Sequence, residues 1–92
     1  MLVRHRVDDF ETWVRVYKGF ASIQREGGVR AQMALRSTED PRDIVVTHTF
    51  DSREDAEAYL SDQRLAKAME EATVESSTVT IEFFDEVVPN DS

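Results

Sequence analysis

The chain has no cysteine, which removes disulfides, thiolate metal sites and cysteine nucleophiles from consideration. Three glycines and two prolines leave no room for a glycine-rich phosphate loop, and the one adjacent pair, Gly27-Gly28, sits where a helix should stop. Basic residues are also scarce: 11 Lys and Arg stand against 19 Asp and Glu, a net charge of −8. A nucleic-acid surface needs a basic stripe to replace phosphate counterions, and this chain has none. The same sign disfavours an anionic membrane surface. No apolar run approaches the ~18 residues of a membrane span, and Met1-Leu2-Val3-Arg4-His5 does not read as a signal peptide. The expectation is a cytoplasmic protein without nucleic-acid or membrane partners.

What remains is a globular composition. Of the 92 residues, 40% are hydrophobic and 33% charged, enough to build one core with a solvated surface. The pattern predicts one α+β domain over residues 1–88 and a frayed tail over 89–92. Residues 2–7 alternate, with Val3, His5 and Val7 on one side, and read as a strand. Asp8 and Asp9 offer helix caps, and Asp8 with Glu11 makes a capping-box pattern. Phe10, Trp13, Val14, Tyr17, Phe20 and Gln24 recur at helical spacing, so one helix is expected over about 9–26.

Residues 29–36 alternate again, with Val29, Ala31, Met33 and Leu35 together, and residues 43–50 place Ile44, Val46, His48 and Phe50 on one side. The turn around Asp40-Pro41 joins them as a hairpin. A second helix starts at Ser52, carries Ala56, Tyr59, Leu65 and Met69 inward, and breaks near Ser61-Asp62. A last strand is expected over 78–88. The order β-α-β-β-α-β, with two helices covering one face of a four-stranded antiparallel sheet, is the ferredoxin-like arrangement, with strands one and three central.

Two histidines interrupt otherwise apolar faces: His5 between Val3 and Val7, His48 between Val46 and Phe50. On adjacent strands, opposite or diagonal to one another, both imidazoles would reach one bound molecule. The pair reads either as a proton-transfer site or as two hydrogen-bonded structural histidines. Phe10, Trp13, Tyr17, Tyr59, Met33 and Phe50 are the residues expected to hold an apolar ligand, or else to be core. Two His with Asp85 would imitate a facial metal triad, but neither a metal nor any other cofactor is required by the sequence.

The chain also resembles a known group. Arg4-His5-Arg6-Val7 leads into Asp9-Phe10-x-x-Trp13; later come Glu39-Asp40-Pro41, a Val-rich strand, Phe50-Asp51-Ser52 and Leu65-x-x-Ala68-Met69. In this order they resemble the dimeric α+β barrel superfamily, closest to small bacterial antibiotic-biosynthesis-monooxygenase-like or cyclase-like proteins. The resemblance implies a homodimer whose two sheets share a barrel. It further implies a pocket between each sheet and its helices for a hydrophobic molecule, polyketide-like or aromatic. The group's cofactor-free oxygenases and haem-degrading members use an Asn on an early strand with Trp and His or Tyr nearby. Here the only Asn is Asn90 and the only Trp is Trp13 on the first helix, so a polarising amide at the usual place is missing. The function implied is a small cofactor-independent enzyme with His5 and His48 moving protons; the alternative is a non-catalytic binding or accessory dimer of the same fold.

Overall fold

A computed structural model describes residues 1–88. The expected tail, Pro89–Ser92, and with it Asn90, lies outside the described residues. Four strands, β1 (Leu2–Arg6), β2 (Ala31–Arg36), β3 (Asp43–Thr49) and β4 (Thr80–Glu82), form one antiparallel sheet in the order β2-β3-β1-β4. The helices are α1 (Phe10–Gly19), α2 (Ala21–Glu26), α3 (Arg53–Leu60) and α4 (Gln63–Glu71), with α1 packed against α4. The ferredoxin-like order and the central placement of β1 and β3 are as the alternation requires.

The pleat of the two central strands organises the core. Val3 opposes Val46, and His5 opposes Ile44. Period-two alternation turns all four toward the helices, together with Val7, and each of them is buried. Trp13 from α1 and Ala72 after α4 close over Val7, Ile44 and Val46. A second cluster, Phe20, Val29 and Tyr59, fills the other end.

Four local expectations need correction. The first helix is not continuous. After Gly19, a poor helix former, the Phe20 N–H bonds the Tyr17 carbonyl three residues back, and the chain restarts as α2. Its cap is Asp9, which accepts from the Glu11 N–H and the Thr12 hydroxyl, while Asp8 pairs instead with Arg42. The break between α3 and α4 falls where expected, with Asp62 capping α4.

The last strand is three residues rather than eleven. Ser76–Thr78 form a 3₁₀ turn, in which the Thr78 hydroxyl accepts from the Arg6 N–H and donates to the Glu75 carbonyl. At the other end Glu82 opposes Leu2, so β1 offers the following residues almost no ladder to continue.

The face of β2 is the opposite of that assumed for Met33. Gln32 opposes His48, Ala34 opposes Val46 and Arg36 opposes Ile44, so the even positions face the helices. Met33 and Leu35 point away, 57% and 50% exposed. On this edge strand the helix side is covered by long polar side chains: the Arg36 guanidinium lies 4.3 Å over the Phe10 ring, and Gln32 accepts a hydrogen bond from the Tyr17 hydroxyl.

The Gly27-Gly28 stop has two separate jobs. Gly28 adopts φ 95°, the left-handed conformation that ends a helix. Gly27 permits close approach: a Cβ there would stand 2.7 Å from the Tyr59 ring. Tyr59 thereby lies tight against the end of α2.

Trp13 is the largest side chain in the core, stacked on Tyr17 at 4.7 Å and on Phe10 at 6.2 Å. Trp13→Ala is expected to lower stability by about 3–5 kcal/mol in chemical denaturation. The native emission should be blue-shifted relative to the unfolded chain; a native spectrum like that of tryptophan in water would contradict the packing.

Candidate functional site

A cavity lies between the helix-facing side of the sheet and the helices. Its floor carries Val3, His5, Val46 and His48; its walls include Trp13, Tyr17 and Gln24 from α1 and α2, and Tyr59 and Leu65 from α3 and α4. It encloses about 80 Å³ of free space. By that measure one water needs roughly 10–15 Å³, so the space is that of roughly five to eight waters, or one to two fused rings. It is smaller than a drug-sized pocket, which spans roughly 300–1,000 Å³.

Five polar atoms of residues around this cavity are buried, closed off from its free space as well as from solvent, without a hydrogen-bond partner among the described residues: both ring nitrogens of His5, both of His48, and Gln24 Oε1. Their residues are only 5%, 7% and 2% exposed. Leaving such a group unpaired costs about 1–3 kcal/mol, so natural cores seldom carry several side by side. All five belong to residues that line the same space.

Burial also sets the charge of the site. Desolvation pushes the His48 pKa down to about 4, with the Met1 ammonium adding to the effect. Desolvation lowers His5 too, partly opposed by the carboxylate of Asp43. Tyr59 is pushed up to about 12 by burial, against the influence of the Gln24 amide, and Tyr17 is raised in the same way. At neutral pH the two imidazoles and two phenols around this mostly apolar cavity are therefore neutral, and the Met1 ammonium beside His48 is the charged group on its lining.

The two histidines do not form the close pair expected of them. His5 opposes Ile44 in the ladder, four residues before His48. Four strand residues span roughly 13 Å, so the imidazoles sit at opposite ends of the cavity. One proton cannot pass directly between them, and they cannot ligate one ion with Asp85. Among the described residues no cluster of three or more His, Asp or Glu side chains is placed to hold a metal. His5 packs against the Trp13 ring at 6.0 Å, and His48 meets Tyr59 edge-on at 5.6 Å.

Of the ligand-holding residues expected from the sequence, Trp13, Tyr17 and Tyr59 line the cavity. Phe10 lies behind Trp13 under Arg36. Phe50 contacts His48 and Tyr59 from a second, open cleft between residues 50–53 and 83–86. Met33 is on the far face of the sheet. The cleft and the cavity share Met1 and His48, which stand between them. Gln24 was not singled out by sequence reasoning; the available signal was an amide on an otherwise apolar helical stripe.

Comparison with solved structures adds the fold's relatives. An antibiotic biosynthesis monooxygenase superposes with a TM-score of 0.73 at 12% identity, covering 95% of this chain and 96% of that one. A candidate antibiotic biosynthesis monooxygenase from Bacteroides thetaiotaomicron gives 0.73 at 15% identity, over 97% and 89%. Another, from Deinococcus radiodurans, gives 0.60 at 13%, over 97% of each chain. The chain has the fold of the antibiotic-biosynthesis-monooxygenase-like proteins. At these identities the likeness is one of fold. No protein-family profile and no curated protein matches the sequence. No helix among the described residues is long and apolar enough to cross a membrane.

The depressed histidines make stability depend on pH. A histidine that stays neutral when folded contributes nothing above its unfolded pKa of 6.5. Below it, the unfolded chain binds a proton that the folded chain refuses, until the folded pKa is reached. For His48 the loss should accumulate between pH 6.5 and about 4 and total about 3 kcal/mol, with His5 adding to it. Urea denaturation across this range should show His48→Gln with a flatter profile than the unaltered protein. Parallel profiles would contradict the burial of a neutral His48.

Proposed function

We propose that this protein is a small cofactor-independent enzyme of the cyclase- or monooxygenase-like kind. It acts on a hydrophobic molecule, aromatic or polyketide-derived, held between sheet and helices. The observation that carries this reading is the cavity itself: apolar walls, with two buried imidazoles whose nitrogens have no partner among the described residues. A neutral imidazole accepts a proton, and a base works best when its pKa lies near the working pH. His5 fits that role better than His48, because the Asp43 carboxylate supports its protonated form and the Met1 ammonium opposes that of His48. In this reading His5 removes a proton from an acidic O–H or C–H of the substrate. The resulting electron-rich anion is the species that cyclises or reacts with dioxygen. His48, Tyr17 and Tyr59 hold the other end.

A non-catalytic ligand-binding dimer is the second reading. One observation favours it: a His48 with a pKa of about 4 is a poor base at neutral pH. The absent early-strand Asn also speaks against the oxygenase route used elsewhere in this fold.

Either reading includes a homodimer through the sheet face turned away from the helices. Support comes from the exposed Met33 and Leu35, which join Leu2 and Val45 on that face among Arg4, Thr47 and Thr49. Light scattering at micromolar concentration should give the mass of two chains, and Leu35→Glu should reduce it to one. A monomeric unaltered protein would refute the assembly.

For activity, dioxygen uptake and product formation with one- and two-ring phenols is the assay. His5→Ala should lower kcat/KM by about 10²–10⁴-fold while the fold is kept, and His48→Ala should act mainly on KM. With a neutral His5 as base, kcat/KM should rise with pH through one ionisation below 6.5 and be level at neutral pH. Full turnover by a folded His5→Ala/His48→Ala variant would end the catalytic reading; saturable binding without turnover would favour the binder.

A further inference from the structure

We infer that the part of the ligand that enters the cavity is a bare hydrocarbon end, and that its polar remainder stays in an opening where α4 and β4 border the cavity. This rests on the reading of the cavity as a ligand site. It names the class of molecule that site takes: an amphiphile whose buried end carries no hydroxyl, ketone or charge.

The free space is bounded almost wholly by carbon. Val3 and Val46 form the floor between the two histidines, and Trp13, Phe20, Leu65 and Met69 belong to the walls. The polar atoms nearby are withheld from it. Both nitrogens of each imidazole and Gln24 Oε1 are enclosed. The Trp13 ring packs on His5 at 6.0 Å, and Tyr59 meets His48 at 5.6 Å. The Met1 ammonium donates to the His48 carbonyl at 2.8 Å. A hydroxyl or carbonyl carried into this space would give up its hydrogen bonds to water and find no replacement. An apolar cavity of this kind stays dry and accepts benzene-like molecules.

The lining also shows where a ligand continues. Among the described residues around the cavity, only Ile81 is exposed, at 41%. It opposes Val3 and so shares the helix-facing side of the sheet, on the edge strand β4. The α4 side is the other loosely covered part. That helix has no buried residue, and Leu65, Ala68 and Met69 line the cavity only half-buried. The free space of about 80 Å³ holds one or two rings, so a larger molecule must keep a part outside. At the opening that part stays in water, while the hydrocarbon end leaves it.

The test uses four matched probes on the intact protein, with calorimetry as the readout: naphthalene, 2-naphthol, 2,6-dihydroxynaphthalene and 2-naphthoate. Naphthalene and 2-naphthol should bind alike, because a single hydroxyl can face the opening. The diol carries hydroxyls at both ends, so one of them must enter; it should bind about tenfold or more weaker than 2-naphthol. Ala68→Leu puts a larger side chain into the free space. It should weaken naphthalene about tenfold or more, with an unchanged circular dichroism spectrum. A crystal structure with 2-naphthol should show its rings over Val3 and Val46 and its oxygen beside Ile81. A diol bound as tightly as 2-naphthol overturns the inference and leaves the ligand site standing. So does 2-naphthoate bound tighter than naphthalene, which would put a carboxylate on the Met1 ammonium. A 2-naphthol as weak as the diol, or a complex with its oxygen inside, overturns the opening at α4 and β4. Naphthalene affinity unchanged in a folded Ala68→Leu variant places the binding elsewhere and also overturns it; the complex decides the matter even if the variant does not fold. If none of the four binds, the inference and the ligand site fall together.

Discussion

Everything at the site depends on the antiparallel pairing of β1 with β3. Because side chains alternate with a period of two, the register that sets Val3 against Val46 also decides that His5 and His48 face the helices. A slip by one residue would turn Arg4, Arg6, Thr47 and Thr49 inward and both histidines out. Val7, Ile44 and Val46, almost fully enclosed, make that slip prohibitive. The polar groups of the cavity are held in place by the burial of their apolar neighbours on the same strands.

The helical layer converts this sheet face into a site. Trp13 covers the His5 end and Tyr59 the His48 end. Thr73, with φ 62°, ties the end of α4 to the start of α1 through its hydroxyl, which accepts from the Asp9 N–H. Arg42 clamps the same corner, donating to the Val7 carbonyl and pairing with Asp8 and Glu75. These anchors lie outside the cavity and are largely exposed. They place α1 and α4 and leave the cavity lining free of charge pairs. Apart from the Met1 ammonium, the lining groups are neutral, which avoids the large cost of burying ions.

The carboxylate-rich surface fits the same division. Arg4 with Asp43, Arg30 with Asp51 and Arg64 with Glu26 and Asp62 are surface pairs, with Asp43 and Asp62 partly covered, and each is worth little to stability. Arg64 does join the start of α4 to the end of α2, and Gln24 lies two residues from that junction. The far face of the sheet contrasts with this polar shell, since Met33 and Leu35 stand exposed there among threonines and arginines.

The order of elements was legible in the chain because the apolar period changes from two to 3.6 and back, with Gly27-Gly28 and Asp40-Pro41 marking the transitions. The inward faces of β1 and β3 were legible for the same reason, and so were the core places of Trp13 and Tyr59. Alternation alone could not tell which side of β2 meets the helices. Either side of an edge strand can meet the helices: here Arg36 lies over the Phe10 ring and Gln32 accepts from the Tyr17 hydroxyl on one side, while Met33 and Leu35 stand exposed on the other. It could not limit β4 either, because Val79, Ile81 and Phe83 alternate whether or not β1 supplies a ladder opposite them. The separation of His5 and His48 was hidden as well: a period shows which face a residue takes, whereas the distance along neighbouring strands depends on the register between them. Gln24 required the tertiary structure most of all. Its place on an apolar stripe is visible in sequence, but its burial beside the phenols of Tyr17 and Tyr59 exists only once α2, α3 and the sheet have come together.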